Sequence, residues 1–151
     1  MSLILAAAHL AAIEDGARAA WPAEACGLLI GGGDGRRLVV DAVLPAANLR
    51  ADTSDRFELD PRVRLAAEKS CRGTGRRVLG HWHSHPNGRA RPSATDLAMA
   101  FEPELVWLIV AATGPDAPCR SRAFRPDPTA GRFRPIALRV VPAEKVLASQ
   151  R

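Results

Sequence analysis

Apolar and polar positions along the chain sort into helical, alternating and continuous runs. Ser2 to Leu5 opens as a short apolar strand. Leu10, Ile13 and Ala17 then recur at helical spacing in an alanine-rich stretch, which predicts a helix from Ala7 to Ala20 that Trp21-Pro22 stops. Ala25 to Ile30 is a short apolar run closed by Gly31-Gly32-Gly33, a strand and then a turn. Arg37 to Leu44 is its expected hairpin partner, and Asn48 to Asp55 a polar loop. Phe57 to Leu59 suggests a brief strand. Asp60-Pro61 has the form of a helix start, with Asp60 as N-cap and Pro61 at the first helical position, and that helix runs to about Cys71.

Arg77 to His83 is the next predicted strand, and His85 to Arg91 a loop. Pro92-Ser93 opens a further helix that ends before Pro103. Leu105 to Ala112 is continuously apolar, as befits a strand buried on both faces. Arg120 to Arg125 and Arg132 to Val141 complete the strands, and Pro135 predicts an edge or bulge in the last one. Central strands with flanking helices predict an α/β or α+β sandwich.

Composition narrows this frame. The 151 residues fit a single domain spanning 1–151, and 47% apolar with 25% charged residues excludes disordered, collagenous and disulfide-scaffold chains. Cys26, Cys71 and Cys119 are odd in number and form no CxxC, as expected of reduced thiols in the cytoplasm. The apolar N-terminal stretch lacks a basic leader region, and no run approaches the ~20 residues of a membrane span. The net charge of +5 is carried almost wholly by arginine, with local pairs at Arg36-Arg37 and Arg76-Arg77 but no dense basic block. Charge alone therefore does not select a partner, and it is equally the mark of a GC-rich genome.

Chemistry concentrates in Gly80-His81-Trp82-His83-Ser84-His85-Pro86 and in Pro92-Ser93-Ala94-Thr95-Asp96. Side chains two apart on a strand share a face, so His83 and His85 can aim at one point. Asp96, in the first turn of the next helix, can fold back toward them. Two imidazoles and a carboxylate form a three-ligand zinc set with the fourth position open to water, the arrangement of catalytic zinc. Singly, each piece has an ordinary explanation: a packed histidine, a Ser93 N-cap with an acidic first turn, an exposed turn residue at Glu24, a small buried apolar residue at Cys26. Jointly, the four fixed positions match by chance on the order of 10⁻⁴ per chain at ordinary residue usage.

Glu24 upstream, then His83-x-His85, seven residues, Ser93, two residues and Asp96, resembles the JAMM (MPN+) zinc metalloprotease family, in its small bacterial form. Glu24-Ala25-Cys26-Gly27, His83-Ser84-His85-Pro86 and Pro92-Ser93 match the family's usual forms; Asn48 and Phe57 to Pro61 match more weakly. The resemblance covers roughly residues 3 to 140. Trp82, where a smaller aromatic or Tyr is expected, and His81, a third histidine on the same face, depart from it.

The resemblance implies a cytidine-deaminase-like three-layer sandwich with a mixed central sheet. It implies one Zn²⁺ per chain on His83, His85 and Asp96, with Glu24 as general base and Ser93 as donor to the oxyanion. It implies hydrolysis of the amide bond after the C-terminal Gly-Gly of a ubiquitin-like or sulfur-carrier protein of the ThiS/MoaD type, in the cytoplasm, with neither membrane nor nucleic acid as partner and no statement of oligomeric state. The alternatives are an inactive MPN scaffold and a RadC-like nucleic-acid-associated protein. A zinc deaminase lacks its second cysteine here, since Pro118-Cys119 is followed by Arg120, Ser121 and Arg122.

Overall fold

The computed structural model describes residues 1–50, 56–142 and 145. Strands and helices follow in the order β1 (Ser2–Ala6), α1 (Ala7–Ala20), β2 (Cys26–Gly33), β3 (Arg37–Ala46), α2 (Pro61–Cys71), β4 (Arg77–His85), α3 (Ala94–Ala98), β5 (Val106–Ala111), β6 (Arg120–Asp127) and β7 (Arg132–Val141). They form a mixed sheet ordered β1-β3-β2-β4-β5-β6-β7. β4 pairs with β5 in parallel, and β1 with β3; the β2–β3, β2–β4, β5–β6 and β6–β7 pairs are antiparallel. β7 returns to pair in parallel with β1, from Ser2 against Ala137 to Ala6 against Val141, so the sheet curls until it closes.

Alternation along the strands decides which layer each helix joins. Leu3, Leu5, Leu29, Val40 and Leu108 face inward and bury Ile13 and Ala17 of α1. Leu28 and Ile30 point the other way and take Ala67 and Cys71 of α2. Helix, sheet and helix thus form the layers that the sequence pattern predicts. Val106, Leu108 and Val110 pack on the α1 face while Trp107 and Ile109 pack on the outer face, which explains the continuous apolar run. Asp60 caps α2 as expected, its carboxylate accepting from the Arg62 N–H at 3.0 Å.

The structure departs from the sequence pattern at four places. β2 runs through Gly31–Gly33 instead of turning there. A bulge at Ile30/Gly31 brings the Val39 carbonyl into the space a Gly31 Cβ would fill. β4 extends through His85, because β5 supplies a partner as far as Ala111. Phe57 to Leu59 is no strand; Leu59 makes a single bridge to Asn48. α3 is one short turn that ends at Ala98, after which Glu102 is drawn into an ion pair with Arg64 of α2. The predicted loop is described at Asn48–Arg50 only; 51–55 lie outside the described residues. Pro135 does lie at an edge, before the β1–β7 ladder begins at Ala137.

Trp82 is buried, and two missing side chains make room for it. A Cβ on Gly16 of α1 would sit 3.2 Å from its ring, and one on Gly27 of β2 would overlap both its indole nitrogen and the Leu44 carbonyl. Gly27→Ala is expected to cost about 3 kcal/mol. Adding Trp82→Phe restores only part of it, since the Leu44 carbonyl still blocks the methyl. Denaturant melts of the single and double variants check this; an unchanged midpoint in Gly27→Ala refutes the packing.

Candidate metal centre

β4 carries its histidines on the outer face of the sheet, at the end where β4 and β5 finish. A bulge between Leu29 and Ile30 resets the register, so that Leu79 and Trp82 go to the core while His81, His83 and His85 face out. α3 brings the carboxylate. Ser93 is its N-cap: the Ser93 Oγ accepts from the Asp96 N–H at 3.0 Å, and the Asp96 Oδ2 accepts from the Ser93 N–H at 2.8 Å. This reciprocal capping box fixes the Asp96 rotamer and aims it at the histidines.

The three side chains converge. His83 Nε2 and His85 Nε2 are 3.0 Å apart, His83 Nε2 lies 3.2 Å from Asp96 Oδ1, and His85 Nε2 lies 3.1 Å from Asp96 Oδ2. All three residues are buried. His85 Nδ1 donates to the Arg89 carbonyl at 2.9 Å, which fixes the ring with its Nε2 toward Asp96. His83 is oriented instead by stacking on Phe57, with centroids 4.3 Å apart and planes 19° from parallel, and by the edge of Trp107.

Burial pulls the His83 pKa down. Burial opposes charge on Asp96 too, but hydrogen bonds from both histidines and from the Ser93 N–H outweigh it and hold the carboxyl well below its usual range. At His85 burial is again outweighed, by the bond and charge of Asp96, and the pKa is raised.

The residues fit a divalent ion. A tetrahedral zinc with bonds of ~2.0 Å sets its ligand atoms about 3.3 Å apart, and the atoms here span 3.0–3.2 Å. The donor set of two imidazoles and one carboxylate leaves a coordination position for solvent or substrate. His83, His85 and Asp96 can therefore hold a metal. His81 shares their face, but its ring lies 5.8 Å from that of His83, against Phe57 and Trp107, and burial pushes its pKa down to about 3. It stands outside the converging group.

Glu24 reaches the same place by register. Cys26 pairs with His83, and Ala25 is locked to Ser84 by two bonds: Ala25 N–H to Ser84 Oγ at 2.8 Å, and Ser84 N–H to the Ala25 carbonyl at 2.9 Å. Continuing one place sets Glu24 across from His85, where its charge helps to raise the imidazole pKa. Asn48 donates to the Glu24 carbonyl at 2.7 Å. Taken alone, Glu24 reads as an exposed turn residue; in the fold it is 4% exposed. Cys26 is buried beneath the site, and burial pushes its thiol up to about 12, so it is an inert packing residue.

Phe57 and the Arg89 carbonyl were not singled out as site groups by the sequence. Phe57 carried only a weak family match, and a backbone carbonyl leaves no residue-type signal at all.

An outer sheet face with two histidines and one carboxylate converging on it defines the class: an α/β domain whose buried side chains could hold a metal, beside a buried glutamate. Residues 6–126 match the model of the prokaryotic homologs of the JAB domain. The chain belongs to this family, the one its motif resembles. It is 37% identical over 101 residues to a desampylase of Haloferax volcanii, covering 67% of this chain and 71% of that one. It is also 34% identical over 99 residues to the tail tip assembly protein K of Escherichia phage N15, covering 66% of this chain but 37% of the phage protein.

Among solved structures, a protein of Desulfitobacterium hafniense superposes with a TM-score of 0.81 at 34% identity, over 93% of both chains. A JAB1/MPN domain protein of Archaeoglobus fulgidus shares the fold, with a TM-score of 0.58 at 21% identity over 93% of this chain and 98% of that one. Among the described residues no helix is long and apolar enough to cross a membrane.

Proposed function

We propose that this protein is a zinc-dependent isopeptidase, hydrolysing the amide bond after the C-terminal Gly-Gly of a ubiquitin-like or sulfur-carrier protein in the cytoplasm. The convergence of His83, His85 and Asp96, with Glu24 across from His85, carries the reading. The desampylase relative supports an isopeptidase acting on a ubiquitin-like protein.

When bound, zinc supplies a Lewis acid that acidifies water and polarises the scissile carbonyl. His83, His85 and Asp96 would hold it. Glu24 takes a proton from the attacking water and returns it to the leaving amine. Ser93 accepts the Asp96 N–H on its Oγ, so its own hydroxyl proton is available to the oxyanion. The cap and the oxyanion donor are thus one group with two separable bonds.

Ser93→Ala is expected to lower kcat by ~10²–10³ and stability by about 1 kcal/mol. Ser93→Thr keeps both bonds and both properties. Kinetics and denaturation measured side by side check this, and an unchanged kcat in folded Ser93→Ala removes the oxyanion role. The reading as a whole is tested on purified protein by metal content and by cleavage of a ThiS/MoaD-like carrier extended past its Gly-Gly. One zinc per chain with chelator-sensitive cleavage supports it. One zinc with no cleavage of any Gly-Gly tail favours a scaffold, and a folded protein that takes up no zinc overturns the centre.

A further inference from the structure

The two arginine pairs, far apart in sequence, meet at the end of the sheet opposite the metal centre. β2 and β4 pair through Gly31 and Arg77, which sets the β2–β3 turn beside the loop that leads into β4. Arg77 donates to the Gly33 carbonyl at 3.3 Å, and the Arg36 carbonyl accepts from the Ser2 N–H at 2.8 Å, so turn, loop and β1 close around one cavity of about 580 Å³. The distance from Arg77 to His83 along β4 is ~20 Å. This cavity is therefore separate from the site described above.

Five arginines line it. Arg64 is neutralised by Glu102 and Glu68, and Arg76 by Asp41. Arg72, Arg77 and Arg125 have no carboxylate partner among the described residues; Arg125 turns an N–H to the Met1 sulfur, a weak acceptor, at 3.3 Å. Three acids share the lining. Glu68 is held by Arg64, Asp34 accepts from the Arg36 and Arg37 N–H groups, and Glu104 makes no ion pair among the described residues. Arg36 and Arg37, exposed at the β2–β3 turn next to the lining residues Asp34, Gly35 and Leu38, lie outside the lining itself. One wall is the loop at Gly73 and Gly75, both left-handed at φ 72° and 74°, with nothing within 4 Å of where a Cβ would stand. Neither glycine carries a side chain of its own to cover that backbone.

We propose that this cavity binds a small phosphate-bearing molecule of about nucleoside-diphosphate size. Guanidinium groups match phosphate oxygens in forked geometry and keep their charge at any physiological pH. The volume lies in the range of small-ligand sites. The free arginines converge on a concavity instead of running as a stripe, and no aromatic residue lines it. Both facts favour a compact anion over a nucleic-acid strand.

The test is titration of the metal-loaded, full-length protein with ADP at low ionic strength, followed by calorimetry and by amide NMR. Saturable binding is expected, with shifts at Gly73, Gly75 and Arg77. Arg72→Gln combined with Arg125→Gln weakens it at least tenfold, the loss of one or two charge-assisted bonds. Arg120→Gln with Arg139→Gln removes the same charge outside the cavity and leaves ADP affinity within twofold. Equal weakening in both pairs makes the binding a net-charge effect and overturns the site. So do shifts confined to His83–Asp96, which place the nucleotide on the metal, or an absence of saturation. A DNA duplex that binds more tightly than ADP, with the same Arg72 and Arg125 dependence, replaces the proposal with a polyanion face.

Discussion

Glu24→Gln is expected to remove turnover while leaving the metal in place. The amide fills the same volume but cannot accept the proton of an attacking water. General-base catalysis contributes ~10²–10⁴, so kcat falls by about that factor or more. The fold gives little reason for the variant to lose its shape. The backbone around Glu24 is held by the Asn48 amide and by the paired Ala25–Ser84 bonds, and none of these involves the carboxylate. The ligand set lies on β4 and α3, so zinc content stays at that of the parent. Steady-state kinetics and metal analysis on one preparation check both halves. A kcat within tenfold of the parent ends the base assignment, and loss of metal together with activity moves Glu24 into the ligand set.

Asp96→Asn has the second large effect, and on a different quantity. The carboxylate takes one contact from each imidazole and one from the Ser93 N–H. Its charge is what would let two buried imidazoles at 3.0 Å hold a cation instead of forming a hydrogen-bonded pair. Asparagine can still cap α3 through its side-chain oxygen, so the helix survives while the converging group of three loses its carboxylate. With zinc present at ~1,000 times its Kd, binding stabilises the parent by about 4.1 kcal/mol. The variant loses that increment, and its melting temperature becomes insensitive to chelator. Melting with and without zinc reads it directly. A variant that keeps a chelator-sensitive shift of parental size shows that Asp96 is not a ligand.

How much of this was written in the sequence depends on how far each feature reaches. The convergence of His83, His85 and Asp96 was legible because its parts are local. His83 and His85 share a face by strand periodicity, and Ser93 and Asp96 are set by a one-turn capping box. The layers were legible from the mix of apolar central strands and flanking helices. The position of Glu24 across from His85 was not, because it depends on a β2–β4 register spanning 59 residues, and no residue type signals a register. The stacking of Phe57 on His83 was hidden for the same reason. α3 was expected to run on toward Pro103 but stops at Ala98; Leu97, Met99 and Phe101 are exposed, so little burial rewards a longer helix. The return of β7 to β1 was also missed, since parallel neighbours carry no connecting turn to announce them.

That last pairing has a mechanical consequence. β1 and β7 run side by side in the same direction from Ser2↔Ala137 to Ala6↔Val141. Tension applied between residues 2 and 141 pulls the start of one strand away from the end of its neighbour, along their common axis. The ladder is then loaded in shear, with its hydrogen bonds sharing the force instead of opening one after another. Resistance to such a pull is set by the barrier to unfolding, not by the equilibrium stability. The closing seam of the sheet thus acts as a force clamp along that axis.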